Sequence, residues 1–530
     1  MKYYKLILLM VAVTVTMGSC KKFLDINSNP VNPQEPNAEY MLAPIIFQMA
    51  NGTSQDYAQL FRMLQYWGGT TASNVWERHS YDQASDAGGV IWRMTYINHG
   101  RNLEDVINDG IKNQKYEFAG IGYAIKAWSY QMATDLHGPI ILDSAFDPKL
   151  LAFPYQDQPE VYQRVREWTQ LSLKYLNMKS PIDYSGLLRS SSGDGIYGGD
   201  LNKWKKFNYA LLALQYSHLV NKPEFKTSYA DSVIKYVDLS FANSSEDATI
   251  YFTASNSSDG NPFGPSYGVI TSTTNGRISQ SIVSLLTGGV RGTAPVDTTA
   301  SVDPRLTRML TPLSTGVYRG NIPTKGTGTT SAPHVLGNLS GTPATYTGKY
   351  IFSDKARYPL MSYAQLQFAK AEAQFLKGDK AAAYATYLGA IRAHMSFVNT
   401  YGRNGTTNGI QDPAIQEPEI AAYLTSKEVA QNSGELTIAD IMQQKYIAQW
   451  GWAGLEQWCD LRKYHYNPEV FRTFYQLNTT ELHPFNNGKF AYRFRPRYNS
   501  EYVWNEKELE KWGGLKTSYM TDETWFSKKP

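Results

Sequence analysis

Two cysteines in 530 residues leave no disulfide framework to hold this chain, so its stability must come from a buried core. The eight histidines are scattered rather than clustered. No His-Glu-x-x-His, no paired Cys-x-x-Cys and no glycine-rich phosphate loop occurs, so no metal site and no cofactor is expected. Neither sign of charge dominates: 51 Lys and Arg stand against 47 Asp and Glu, a formal +4, and that balance does not point to nucleic acid. Beyond the first residues no apolar run approaches the roughly 20 needed to cross a bilayer.

What is present begins at the amino terminus. Lys2 and Lys5 precede the apolar run Leu6 to Val13, the layout of a secretory signal and too short to span a membrane. The run stops at Met17-Gly18-Ser19-Cys20, where small residues lead to a cysteine as they do at bacterial lipoprotein processing sites. Residues 1–19 are therefore expected to be a signal peptide and Cys20 to carry the lipid. An ordinary signal with an incidental cysteine is the alternative. Several acyl chains, each methylene contributing about 0.8 kcal/mol, make such an anchor effectively permanent. Cleavage would remove Lys2 and Lys5, taking the charge from +4 to +2 (4 minus 2), and would leave Cys459 without a disulfide partner in the chain. Residues 20–37 read as a lipidated tether of turn formers. Asp25, Asn27 and Asn29 have the one-three-five spacing of a calcium loop, but Pro30 and Pro36 stand where such a loop needs glycine and glutamate.

From 38 to 243 the periodicity is helical. Ile121, Ile125, Trp128, Met132 and Leu136 form one apolar face, and that helix should end at Gly138-Pro139. Val161, Val165, Trp168, Leu171 and Tyr175 repeat the pattern. Within 359–399 the spacing predicts an antiparallel pair: Tyr363 to Leu376, a turn at Gly378-Asp379, then Lys380 to His394. Ala371, Ala383, Tyr387 and Ala390 occupy the small and aromatic packing positions of a tetratricopeptide repeat. Residues 244–358 turn to Ser, Thr, Gly, Asn and Pro, an expected loop-rich lobe. There Phe263, Tyr267, Tyr318, Tyr346 and Tyr350 argue against a wholly solvated coil. Residues 400–530 complete the chain with helices and loops. The expected fold is mainly α, a tetratricopeptide-like scaffold of helical hairpins with an irregular lobe.

Catalytic signals are weak. Gly264-Pro265-Ser266-Tyr267-Gly268 fits the nucleophile-elbow pattern, but a polar loop precedes Ser266 where the chemistry needs a strand. Glu417 with Glu419, or Asp135 with Asp143, read as caps and surface charge, since sequence cannot place two carboxylates the required ~5 to 9 Å apart. No catalytic residue is expected.

Other segments carry a resemblance. Cys20 followed by Phe23-Leu24-Asp25, the pattern Trp92, Tyr96 and Asn102, and Thr134-Asp135-Leu136-His137-Gly138 are similar to motifs of the SusD/RagB nutrient-binding lipoproteins. Tyr197-Gly198-Gly199-Asp200 through Asn208 is the most specific match. Asp303-Pro304-Arg305-Leu306, Gln444-Lys445-Tyr446, Trp458-Cys459-Asp460-Leu461-Arg462 and Arg493-Phe494-Arg495-Pro496 through Glu501 to Asn505 also match. His137 stands where an aromatic is usual, and Lys463-Tyr464 departs from the usual continuation. The resemblance implies a lipid-anchored protein on the outer-membrane surface. It would bind an oligosaccharide, glycan or peptide for a SusC/RagA-type TonB-dependent barrel. The competing classes are a structural repeat adaptor and a surface glycoside hydrolase. Most shared motifs read as structural: Asp200 can cap a helix and Trp204 supply buried area.

For the ligand, the segment from Tyr66 to Tyr81 mixes rings with Gly and Asn on an expected loop. Trp67, Trp76 and Tyr81 are read as stacking residues and Asn74 as a polar contact. The alternative places those rings in the helical core.

Overall fold

A computed structural model describes residues 37–530 apart from 73, 191, 257–258, 267, 271–273, 300–301, 327–331, 338–347, 404–405 and 408–409. Cys20, the signal and the tether up to residue 36 lie outside the described residues, as do Tyr267 and Tyr346. The protein is mainly helical. Its longer helices are α1 (Ala38–Met63), α2 (Gly100–Lys112), α3 (Tyr116–His137), α4 (Gln158–Leu176), α5 (Leu201–Ser217), α6 (Ala230–Leu239), α7 (Tyr363–Lys377), α8 (Lys380–Tyr401), α9 (Glu417–Leu424), α10 (Ile438–Gln449) and α11 (Gly454–Lys463). From α2 to α8 each packs on the next, and α6 meets α7 although more than a hundred residues separate them in the chain.

Local chemistry sets these elements. The apolar stripe expected on α3 is buried throughout, and Gly138, at φ +83°, takes the positive-φ conformation that ends the helix. In the α7–α8 hairpin Ser362 caps the first helix, Gly378 turns at φ +101°, and Asp379 accepts from the Ala382 amide at 3.0 Å. Ala371, Ala383, Tyr387 and Ala390 are fully buried between neighbouring helices. Asp200 caps α5, accepting from the amides of Asn202 and Lys203 at 3.0 and 3.2 Å. Beneath it, buried Asp194 accepts from the Ile196, Tyr197 and Gly199 amides and from the Trp204 indole. That one carboxylate holds the Gly198-Gly199 turn against the helix it precedes.

The recurring motifs meet in the core. Arg305 forms a buried ion pair with Asp303 and donates to the Gln444 side chain at 2.7 Å. Lys445, next along, bonds Asp460 at 2.8 Å, and Arg462 lies 4.0 Å over the Trp458 ring while donating to the Asp135 and Tyr492 carbonyls. Such buried charges persist because each is paired and hydrogen-bonded.

Between α6 and α7 the chain is irregular but packed. Strand β4 (Ala248–Ile250) pairs antiparallel with β6 (Tyr358–Met361), and β5 (Arg277–Ile278) pairs with β1 (Trp67–Gly68). Phe263, Tyr350, Phe352 and Tyr358 are buried in the same core as Trp450. Ser266 lies in a turn, and its hydroxyl donates to Asp354 at 2.6 Å rather than standing at a strand-to-helix elbow.

Candidate functional site

The rings read from sequence as a stacking platform are core residues. Trp67 is 1 % exposed and meets Phe61 edge-on at 4.5 Å; Trp76 is 2 % exposed, 5.2 Å from the Phe494 ring. Tyr81 lies under the Arg495 guanidinium at 3.7 Å. Asn74 closes its own turn, its side-chain oxygen accepting from the Trp76 and Glu77 amides. Glu77 ties the segment down by accepting from the Gly69 and Thr324 amides, both at 2.7 Å, and burial raises its pKa. The expectation is corrected for a physical reason: residues 263, 277–278, 324 and 494–495 close over the loop from distant parts of the chain. A ring with no open face cannot stack on a ligand.

Nine of the twelve tryptophans are buried, and the three that are not lie together in sequence. Trp504 is 80 % exposed, while Trp512 and Trp525 are half-buried. All three line clefts around the connection between α3 and α4. That connection is braced as a ribbon, β2 (Ile140–Ile141) against β3 (Tyr155–Gln156). On one side a cleft of about 640 Å³ is walled by Pro139, Asp157, Arg493, Trp512, Trp525 and several lysines. On the other, about 290 Å³ is enclosed by Tyr96, Ile97, Phe146, Leu151, Phe153 and Trp504. Phe146 and Ala145 also wall a third cleft of about 450 Å³, where Arg101, Glu104, Lys126, Arg164 and Trp168 gather.

Buried anchors hold these rings in place. Asn505 donates to the Phe153 carbonyl and to Glu501 and accepts from the Phe153 amide, and Tyr155 donates to Glu501 at 2.5 Å. This clamp joins the Trp504 turn to the α3–α4 connection. Phe526 is fully buried, 5.5 Å from His218 and 4.8 Å below the Arg462 guanidinium. It fixes Trp525, which meets Tyr162 edge-on at 5.5 Å and carries the Lys222 ammonium 4.5 Å over its ring. Arg493 holds the segment opposite by donating to the Asp522 and Glu523 carbonyls at 2.7 and 2.9 Å. Flat rings in a polar cleft can stack on the apolar face of a sugar while neighbouring groups bond its hydroxyls.

Sequence reasoning missed this segment. A signal was there: the three tryptophans are spread through a stretch rich in Lys and Glu and form no apolar stripe, although Val503 and Phe526 flank two of them.

A buried trio, Asp135, His218 and Cys459, brings carboxylate, imidazole and thiol within 4.8 Å of one another. Its ligand atoms are already engaged. Asp135 accepts from Tyr162 and Gln131, His218 Nε2 lies 3.0 Å from Glu456, and Arg462 donates to the Cys459 sulfur at 3.1 Å. A guanidinium on the thiol opposes a cation there, and the trio fits a core hydrogen-bond network better than a metal centre.

Residues 30–494 match the SusD-like family model described as starch-binding, associating with the outer membrane. The fold is similar to a SusD/RagB family protein of Bacteroides thetaiotaomicron, at 19 % identity over 94 % of this chain and 100 % of that one, TM-score 0.64. It is similar to a SusD homolog of Bacteroides fragilis at 18 % identity over 93 % and 100 %, TM-score 0.66. It is also similar to a chitin-binding SusD homolog of Flavobacterium johnsoniae at 17 % identity over 93 % and 99 %, TM-score 0.62. No curated protein sequence matches the chain.

Proposed function

This chain belongs to the SusD-like family, and from that premise we propose that it is a surface lipoprotein that captures an oligosaccharide for import. In this reading lipid on Cys20 anchors it to the outer membrane, and it delivers its ligand to a SusC/RagA-type TonB-dependent barrel. It binds and does not turn over. The family description and the chitin-binding homolog support a glycan over a peptide. The observation that carries the reading is the segregation of tryptophan. Every tryptophan ring left unburied lies within residues 504–525 and lines a cleft. Trp512 and Trp525 are the stacking residues, because their cleft combines rings with abundant hydrogen-bonding groups.

The test is binding by the purified mature protein to a panel of oligosaccharides. Trp512→Ala and Trp525→Ala should each weaken a bound glycan about tenfold, as expected for losing one stacked ring, with circular dichroism showing each variant still folded. Undiminished binding in both variants would remove this cleft as the site. Release of soluble product, abolished in neither variant, would count against a binding protein. For the anchor, Cys20→Ala should shift the protein out of the detergent phase. For the partner, a tagged copy should co-purify with a β-barrel from outer membranes.

A further inference from the structure

The cleft of Trp512 and Trp525 carries more positive charge than its own carboxylates neutralise. Its lining includes Lys489, Arg493, Lys511, Lys516 and Lys528 against Asp157, Asp522 and Glu523, a formal +2 (5 minus 3). The partners change that count. Asp157 caps α4, accepting from the Gln158 amide at 2.8 Å and keeping its charge, and Glu523 lies 3.3 Å from the His465 ring. Lys511 is neutralised by Glu508 at 2.7 Å, outside the lining, which brings the net to +1 (2 minus 1). Arg493 is only 7 % exposed and satisfied by carbonyl oxygens, which leave its charge unneutralised. Among the described residues Lys489, Lys516 and Lys528 make no ion pair, and all three are exposed.

A neighbour feels the same field. Lys222, the cation lying over the Trp525 ring, is held below the ordinary lysine range by burial and then by the Lys528 ammonium beside it. Positive charge concentrated in a concave, ring-walled site attracts anions and raises their local concentration. A neutral sugar gains nothing from that field, because its hydroxyls are served as well by amides and carboxylates.

We infer that the oligosaccharide taken by this cleft is acidic, bearing carboxylate or sulfate groups that meet Lys489, Lys516 and Lys528 in the field of the buried Arg493 while its apolar faces lie on Trp512 and Trp525. The inference rests on the glycan-binding reading above and names its substrate class.

Titration calorimetry on the full mature protein tests it with three probes: a galacturonic acid oligomer, a heparin-derived oligosaccharide and a neutral maltooligosaccharide. At least one acidic probe should bind about tenfold or more tighter than the neutral one, and should weaken several-fold between about 0.05 and 0.5 M salt. Galacturonate offers carboxylate alone and the heparin-derived probe carboxylate and sulfate together, so tighter binding of the second shows that sulfate adds to recognition. The double variant Lys489→Gln, Lys516→Gln should lose about tenfold toward that probe with its melting temperature unchanged. Salt-insensitive binding of the neutral probe that Trp512→Ala weakens would overturn the acidic class and leave the glycan reading standing. Failure of all three probes and of a wider glycan panel would overturn both. Equal affinity for a DNA oligomer of matched charge would reduce the cleft to an ion exchanger and also sink the inference.

Discussion

Two aromatic segments of this protein meet opposite fates. Residues 66–81 carry Trp67, Trp76 and Tyr81 among Gly and Asn, look like an exposed loop, and are buried. Residues 504–525 carry Trp504, Trp512 and Trp525 among charged residues, and their rings reach solvent. The second is the more highly charged, but composition does not by itself decide which rings are covered. Their neighbours in space do: the first segment lies under the loop-rich region and the Phe494–Arg495 stretch, whereas the second lies outermost and is pinned through Asn505 and Phe526. A tryptophan becomes available to a ligand when its supports, rather than the ring itself, supply the buried area.

The largest effect should come from the buried segment. Trp76→Ala should cost about 3–5 kcal/mol, because the ring is packed between Phe494 and Gly88 and nothing can collapse into its place. Chemical denaturation checks it, and a variant as stable as the parent would break the comparison at once. Phe526→Ala should cost less, about 3 kcal/mol at the low end for a buried ring, because the terminal segment can fray instead of leaving a void. It should nevertheless abolish binding at the Trp525 cleft. Proteolysis beginning beyond residue 500 would show the expected release.

A pH series probes the same anchor. Burial disfavours charge on His218, but the Cys459 sulfur and the Glu456 and Asp135 carboxylates outweigh it and raise its pKa well above the ordinary imidazole range. A folded pKa above the unfolded value near 6.5 means that this stabilisation is fully present below about pH 6.5 and is lost as pH rises through the folded pKa. His218→Gln should therefore be less stable than the parent at about pH 6 and should flatten the decline toward alkaline pH. Parallel stability curves for the two proteins would show that His218 does not carry the effect. The smallest change belongs to the exposed ring. Trp504→Ala should alter stability by no more than about 0.5 kcal/mol, measurable as an unshifted melting temperature.

Much of the helical architecture was legible from periodicity and turn chemistry. The face from Ile121 to Leu136, its stop at Gly138, the Asp200 cap and the hairpin turning at Gly378 are each settled by residues within a few positions of one another. The segment from Tyr66 to Tyr81 misled for the complementary reason. Whether its rings face water depends on residues up to roughly four hundred positions away, and no local pattern reports them. The last segment was overlooked because tryptophans spread through a charged stretch match neither a helical stripe nor a strand.

By itself, then, the sequence determined where helices start and stop, since capping, left-handed turns and apolar spacing act over one or two turns of chain. It also determined which charged motifs had to find partners, because Asp303, Arg305, Lys445 and Arg462 lie in apolar surroundings that leave a lone charge untenable. Only the tertiary structure decided which rings stay open. Exposure is set by whatever packs on a residue from elsewhere in the chain, and the packing that covers Trp76 with Phe494 leaves Trp504 bare a few residues further along.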